Sequence, residues 1–171
     1  MGGEWPCGMI VLISDTSVLI DLERAELMEP ALALPHKFAV PDALYESELR
    51  NYGGAALIAL GLQVEALEED KVAIAAQLRR ECLKLSVIDT FALALAQGRG
   101  WMLLAGDALL RAEANRRRVE CHGSLWIFDE VETSKIVEAA RLADCLDRLA
   151  AHPRCRLPRR EVELRLTRYR S

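Results

Sequence analysis

Two short apolar runs, each followed closely by an aspartate, constrain the fold of this chain most. Residues 10–13 are Ile-Val-Leu-Ile and precede Asp15, and the stretch WMLLAGD at residues 101–107 ends at Asp107. An apolar run without polar interruption is typical of a strand buried on both faces, as in parallel sheets covered by helices. Both aspartates are therefore predicted at the carboxyl edge of such a sheet, where ligands bind in open α/β folds.

Strands and helices alternate along the chain up to about residue 130. The pattern predicts helices at 17–28, from Asp42, and at 71–83, 87–97 and 108–117, with further strands at 37–40, 62–67 and 119–122. This alternation predicts a three-layer α/β/α sandwich with a central parallel sheet. Residues 133–151 are predicted to be helical, and a short basic helix is predicted after Pro158, so the fold should carry a C-terminal helical extension.

The charge of the chain is divided unevenly. The net charge is −4, but residues 152–171 hold seven arginines against two glutamates, which gives +5 there and leaves −9 for residues 1–151. An arginine-rich segment suits phosphate binding, because guanidinium groups pair with phosphates and release counterions. The same arginines suit ion pairs with the acidic body or with a second subunit, and the sequence leaves both interpretations open.

Other sequence features limit the class of protein. No stretch approaches the roughly 18 apolar residues of a membrane helix, and the N-terminus lacks the pattern of a signal peptide. We therefore expect a cytoplasmic protein that does not act at a membrane. The five cysteines are scattered without a CxxC pair, which favours reduced thiols over a disulfide framework or a zinc site.

Four acidic residues are candidates for one functional site: Asp15, Glu48, Asp89 and Asp107. Taken singly, the aspartates are ordinary helix caps and Glu48 is a solvated helix residue. Taken together, they form a set of carboxylates with no obvious lysine or arginine beside them, which suits Mg²⁺ or Mn²⁺. Glu46 is the alternative to Glu48, but Glu48 shares a helix face with Leu44 and is preferred.

Four stretches together resemble the PIN domain, the nuclease fold of many bacterial and archaeal toxin–antitoxin toxins of the VapC type. They are SDTSVLIDL at 14–22, VPDALYESEL at 40–49, LSVIDTFALALA at 85–96 and LLAGDALLRAEANRRRVECHGSLWIFDEV at 103–131. The resemblance covers residues 9–131 and implies a PIN-like nuclease domain there. Residues 1–8 show no pattern and are expected to be a disordered leader. Residues 132–171 are expected to form a C-terminal helix and an Arg-rich tail.

The resemblance also implies a function. It implies a metal-dependent endoribonuclease in which Asp15, Glu48, Asp89 and Asp107 hold Mg²⁺ or Mn²⁺, with Thr16 or Ser17 as the hydroxyl beside the first acid. The expected partners are an RNA substrate, a cognate antitoxin and a second copy of the chain in a homodimer.

The sequence also suggests two alternatives to this function. Ala105 departs from many relatives, which carry Thr or Ser two residues before the last aspartate, so a catalytically inactive PIN-like scaffold for protein or RNA is the alternative function. A phosphotransferase with an aspartyl nucleophile is disfavoured, because Ser17 stands where such enzymes carry a second aspartate.

Overall fold

The computed structural model describes residues 9–13 and 15–171, and the leader predicted at residues 1–8 lies outside the described residues. The strands of the described chain are β1 (Ile10–Ile13), β2 (Lys37–Pro41), β3 (Gln63–Glu65), β4 (Met102–Leu104) and β5 (Cys121–His122). They form one sheet in the order β3-β2-β1-β4-β5, and all neighbouring strands are parallel.

Ten α-helices of the described chain cover this sheet. They are α1 (Thr16–Arg24), α2 (Met28–Leu32), α3 (Asp42–Leu44), α4 (Gly54–Ala59), α5 (Glu69–Glu81), α6 (Val87–Arg99), α7 (Ala108–Arg116), α8 (Ser124–Ser134), α9 (Ala139–Ala150) and α10 (Arg159–Tyr169). A π-helical turn, Tyr45–Leu49, continues directly from α3. None of the described helices has the length and apolar character to cross a membrane.

The sheet separates two apolar layers. Val11 and Ile13 of β1 point into one layer and Leu12 into the other, as expected for alternating side chains of a strand. The first layer contains α1, α2, α8, α9 and α10, and the second contains α5, α6 and α7. The predicted three-layer α/β/α sandwich with a parallel sheet is thus confirmed.

The two C-terminal helices belong to the first apolar layer. Leu142 and Leu146 of α9 are fully buried, and Val162 and Tyr169 of α10 are buried in the same cluster. Because α1 and α8 contribute to that cluster as well, α9 and α10 pack against the body of the sandwich and complete its core.

The helix predicted over residues 133–151 is wrong in its first part. α8 extends to Ser134, and Lys135 follows with a φ of +53°, a left-handed conformation that ends a helix. α9 begins only at Ala139, after the extended residue Glu138. The short apolar α4 has no counterpart among the predicted helices.

The strand order places a crevice at the centre of the sheet. From β1 the chain passes first to β2 and β3 on one side and later to β4 and β5 on the other. The connections that follow β1 and β4 therefore diverge, and the space between them is the usual ligand site of such sheets. Asp15 follows β1 and Asp107 follows β4, so both stand at this crevice.

An ion-pair cluster joins α7 to α5 at the surface of the second layer. Oε1 of the buried Glu113 accepts hydrogen bonds of 2.7 Å from Nη2 of Arg116 and of 2.7 Å from Nε of Arg117. Arg117 also pairs with Glu81 of α5. The hydrogen bond from Arg116, helped by that from Arg117, holds the pKa of Glu113 below its usual value against the opposing effect of burial.

We expect Glu113→Gln to lower the free energy of unfolding at pH 7 by about 1.5–3 kcal/mol, the usual contribution of a hydrogen bond to a charged group. Because the pKa of Glu113 is lower in the folded state, its ionised form stabilises the fold at any pH above the pKa of the unfolded state. This stabilisation is lost as the pH falls through the pKa of the folded state. The difference between the two proteins should therefore shrink as the pH falls from 6 to 3. Urea unfolding across this range measures it. Glu163→Gln on α10 is the control, and an equal loss in both variants would contradict the prediction.

Candidate functional site

Asp15 links the two central strand–helix connections. Its Oδ1 accepts hydrogen bonds from the backbone N–H of Ser17 at 2.9 Å and of Val18 at 3.3 Å, so it caps α1. The hydroxyl of Ser17 donates to the same oxygen. The other oxygen, Oδ2, accepts from the backbone N–H of Gly106 at 3.2 Å, across from the end of β4. One side chain thereby ties the start of α1 to the loop before α7.

Asp107 caps α7 in the same way, with its Oδ1 accepting from the N–H of Leu110 at 2.8 Å. The glycine before it is required by the packing of the loop. A Cβ on Gly106 would lie 2.2 Å from Oγ of Ser17 and 3.8 Å from Oδ1 of Asp15. A side chain at position 106 would therefore force the Ser17 hydroxyl out of its present rotamer and away from Asp15.

Asp89 enters the site from the second layer. It is the third residue of α6 and forms a capping box with Ser86, whose side chain accepts from the N–H of Asp89 at 3.0 Å. Its Oδ2 accepts in return from the hydroxyl of Ser86 at 2.7 Å and from the N–H of Ser86 at 3.3 Å. These bonds fix the rotamer of Asp89 on the first turn of the helix.

Glu48 joins the site through a hydroxyl of α1. Oγ1 of Thr16 donates to Oε2 of Glu48 at 2.7 Å, although the residues are 32 positions apart. Glu46 instead pairs with Arg50 at 2.5 Å on the exposed side of the turn. Both acids belong to the π-helical turn, and such turns are frequent at functional sites because they redirect side chains. The structure thus brings Glu48, and not Glu46, into contact with α1, the helix that Asp15 caps.

The electrostatics of Asp89 reflect its neighbours. Burial raises its pKa above the ordinary value, and the negative charges of Asp15 and Asp107 raise it further. The hydrogen bonds from Ser86 act in the opposite direction. Three of the four predicted acids therefore lie within electrostatic reach of one another, and Thr16 connects the fourth to the same edge.

A fifth carboxylate, Asp21 of α1, lies next to this group. Oδ2 of Asp21 accepts a hydrogen bond of 2.7 Å from the hydroxyl of Ser124, the first residue of α8. Burial raises its pKa most, the charge of Asp15 raises it as well, and Ser124 and Arg24 oppose the change. The sequence indicated only a polar outer face for α1, because the contact with a residue 103 positions away leaves no local signal.

The oxygens of the four acids suit a hard cation. Oε1 of Glu48, Oδ1 of Asp89 and Oδ2 of Asp107 accept no hydrogen bond from a described residue. None of the four carboxylates pairs with a lysine, arginine or histidine in residues 9–13 and 15–171. Oxygen donors without counter-charges fit Mg²⁺ or Mn²⁺. As placed, however, no three acidic, histidine or cysteine side chains of the described chain form a closed group of metal ligands.

Ala105 lies outside the cleft. Its side chain is fully buried in the second apolar layer, and its N–H donates to the carbonyl of His122 at 2.9 Å. A hydroxyl at this position would need a hydrogen-bond partner within an apolar layer.

The Arg-rich tail divides into two parts. Arg165 and Arg168 of α10 pair with Asp129 of α8 at 2.6 and 2.9 Å. Arg168 also pairs with Glu132 at 2.5 Å, and Arg170 pairs with Asp147 of α9. The other tail arginines are exposed and form no ion pair within the described residues: Arg154, Arg156, Arg159 and Arg160.

The end of α9 runs along α1. Arg148 of α9 pairs with Glu26, just beyond α1, at 2.7 Å. His152, which follows α9, acts electrostatically on Asp21, which in turn lies within reach of Asp15. Residues 148–152 therefore approach the start of α1.

Comparison with known proteins identifies a family. A family model described as a PIN domain matches residues 11–171. No curated protein matches the chain significantly.

Two solved structures are similar in fold. A PilT N-terminus domain protein from the hyperthermophilic archaeon Sulfolobus solfataricus has a TM-score of 0.49 at 13% identity, over 72% of this chain and 94% of that chain. A toxin–antitoxin complex from Klebsiella pneumoniae has a TM-score of 0.46 at 24% identity, over 60% of this chain and 90% of that chain. Both scores are too low to assign a function, and the family assignment rests on the family model.

We expect Asp89→Asn to raise the melting temperature at pH 7 in the presence of a chelator. The amide keeps the capping geometry but carries no charge to be repelled by Asp15 and Asp107. The gain should be on the order of 2–4 °C, the change that about 1 kcal/mol produces at this chain length.

The pH dependence of this gain has a definite sign. Because the pKa of Asp89 is raised, the wild-type protein loses stability as the pH rises from 3.8, the ordinary pKa of an aspartate, through the pKa of the folded state. It regains that stability as the pH falls and the carboxyl is protonated. The advantage of the variant should therefore vanish at pH 3. Differential scanning calorimetry measures the difference in melting temperature between Asp89→Asn and the wild type, with Asp144→Asn of α9 as the control. A difference that grows toward low pH would contradict the prediction.

Proposed function

The chain belongs to the PIN domain family, and we propose that it is a metal-dependent endoribonuclease that hydrolyses RNA phosphodiester bonds. The observation that carries the proposal is the convergence of Asp15, Glu48, Asp89 and Asp107 at the central crevice of the sheet without a basic partner among the described residues. These four carboxylates would hold Mg²⁺ or Mn²⁺. When bound, such an ion lowers the pKa of water and offsets charge on phosphoryl oxygens.

The residues around the acids position them for this role. Capping bonds fix the side chains of Asp15, Asp89 and Asp107. In Asp89 and Asp107 these bonds use one carboxylate oxygen and leave the other available to a ligand. Thr16 orients Glu48, and Ser17 orients Asp15. Glu48 and Asp107 are exposed, so a substrate as large as a polynucleotide has access to the carboxylates.

The exposed arginines of the tail support an RNA substrate. A cleft of carboxylates repels a polyanion, and a nuclease of this kind needs positive charge beside the cleft. Arg154 and Arg156 follow His152, which acts electrostatically on Asp21, and they have no acidic partner in the described chain. We assign them to the RNA backbone, and we propose that the protein acts in the cytoplasm, where RNA is abundant.

The role as the toxin of a toxin–antitoxin pair rests on the resemblance of the motifs to toxins of the VapC type. One surface offers support for a protein partner. The apolar helix α4 and its flanks are exposed, with Tyr52 at 82%, Ile58 at 44% and Leu60 at 42%. We propose that a protein partner covers these exposed apolar side chains. The homodimer stays a prediction.

The first test replaces the acids that would hold the metal. Asp15→Asn and Asp107→Asn preserve the caps, because asparagine is an equally good N-cap, but each removes a charged ligand. We expect millimolar Mn²⁺ to raise the melting temperature of the wild-type protein and not that of the double variant. Cleavage of single-stranded RNA by the double variant should fall by orders of magnitude. Glu46→Gln, an exposed acid of the same turn, should change neither measurement.

Two results would decide against the enzyme. If the double variant cleaves RNA at the wild-type rate, the activity belongs to a contaminating ribonuclease. If wild-type protein binds RNA but neither binds Mn²⁺ nor cleaves any RNA of a broad panel, the chain is a PIN-like scaffold.

The second test concerns the tail. Deleting residues 152–171 would remove Val162 and Tyr169 from the core, so point substitutions are the cleaner experiment. Arg154→Gln with Arg156→Gln should weaken binding to single-stranded RNA and lower the slope of log K against log salt by about 1.4, or roughly 0.7 for each phosphate contact. Fluorescence anisotropy at several salt concentrations measures this. Arg80→Gln with Arg141→Gln removes the same charge from exposed sites. An equal loss of affinity and slope in that variant would show that the tail arginines contribute only through the net charge of the protein.

A further inference from the structure

Arg111 occupies a position beside the acids that the family motifs leave without a role. Its backbone N–H donates to the carbonyl of Asp107 at 3.1 Å, so it lies one helical turn into α7. Residues four apart share a helix face, and Arg111 therefore lies on the same side of α7 as the capping aspartate.

The guanidinium reaches over the ends of β4 and β5. Its Nη1 is 3.3 Å from the point where a Cβ on Gly123 would lie, and the carbonyl oxygen of Ala105 is 3.8 Å from that point. Gly123 connects β5 to α8. Arg111 thus lies at the carboxyl edge of the sheet, against a backbone that lacks a side chain.

This arginine forms no direct ion pair with a described residue. Arg116 and Arg117 of the same helix pair with Glu113, whereas Arg111 forms no ion pair with any described residue. Its Nε is buried and has no hydrogen-bond partner there. A partly buried cation without an anion costs free energy, so an anionic ligand at this place would be stabilised.

The positive charge and the first acid act on the same side chain. Burial raises the pKa of Cys121 to about 12, Arg111 lowers it and Asp15 raises it. The guanidinium and the carboxylate therefore both lie within electrostatic reach of one thiol in β5. Gly123, against which Arg111 lies, is also the residue before α8, and that helix has no side-chain cap.

We propose that Arg111 binds a phosphate of the RNA backbone adjacent to the bond at the carboxylates and so fixes the strand across the cleft. A guanidinium suits this ligand because its planar N–H groups match phosphate oxygens in pairs. The inference rests on the proposed function, and it names a contact with substrate that the four acids do not supply. The sequence held one signal for it, the spacing of four between Asp107 and Arg111.

The test measures RNA binding, not cleavage. The full chain carrying Asp15→Asn is titrated onto fluorescent single-stranded RNA at several salt concentrations, with and without Arg111→Gln, which keeps most of the side chain's stem. We expect Arg111→Gln to weaken binding about tenfold and to lower the salt slope by about 0.7. Arg111→Lys should restore the slope, since it restores the charge, but not the full affinity. Arg141→Gln on α9 removes the same charge from an exposed site and should change neither quantity by a comparable amount.

The outcomes separate this inference from the proposed function. Unchanged affinity and slope in Arg111→Gln, in a parent that binds RNA, would overturn the inference alone, and RNA cleavage by the wild-type protein would still support the nuclease. A parent that binds no RNA would overturn both. A third result would also overturn the inference. If Arg111→Gln lowers both RNA affinity and the melting temperature, and Arg111→Lys fully restores both, then Arg111 has a structural role.

Discussion

The hydrogen bonds from helix N-termini to aspartate side chains hold this site together. Asp15 accepts from the first turn of α1 with one oxygen and from Gly106, in the loop before α7, with the other. Asp107 makes the corresponding bond at α7, and the Asp89 carboxylate accepts from the N–H and the hydroxyl of Ser86, the residue before α6. A helix N-terminus stabilises negative charge, and it therefore stabilises acids whose mutual repulsion opposes their convergence. The bonds that begin the helices are also those that assemble the carboxylates.

Capping and metal binding are therefore compatible roles for these aspartates. A carboxylate has two oxygens, and in Asp89 and Asp107 the described chain engages only one of them. The cap fixes the rotamer, and a fixed rotamer limits the entropy that a ligand must remove on binding. From the sequence these two interpretations of an aspartate at a strand end compete, whereas in three dimensions one supports the other.

Much of the fold followed from the sequence because its signals are local. The apolar runs of β1 and β4 and the alternation of elements are local patterns, and both predicted the parallel sandwich. The break at Lys135 was missed, because a left-handed residue that is not glycine has no sequence signature. The contact of Asp21 with Ser124 and the pairing of α10 with Asp129 join distant residues, which single-sequence patterns do not reveal. Glu48 was preferred over Glu46 from helix periodicity, and the contact with Thr16 gives that preference a geometric basis.

The close approach of Gly106 to Ser17 links two positions that are far apart in the chain. A methyl group at 106 would lie 2.2 Å from the hydroxyl of residue 17, so that hydroxyl would have to rotate away. The rotation would break the hydrogen bond that Ser17 donates to Asp15. In a protein that diverges from this one, an alanine at 106 is therefore expected together with a residue at 17 that no longer holds the first acid.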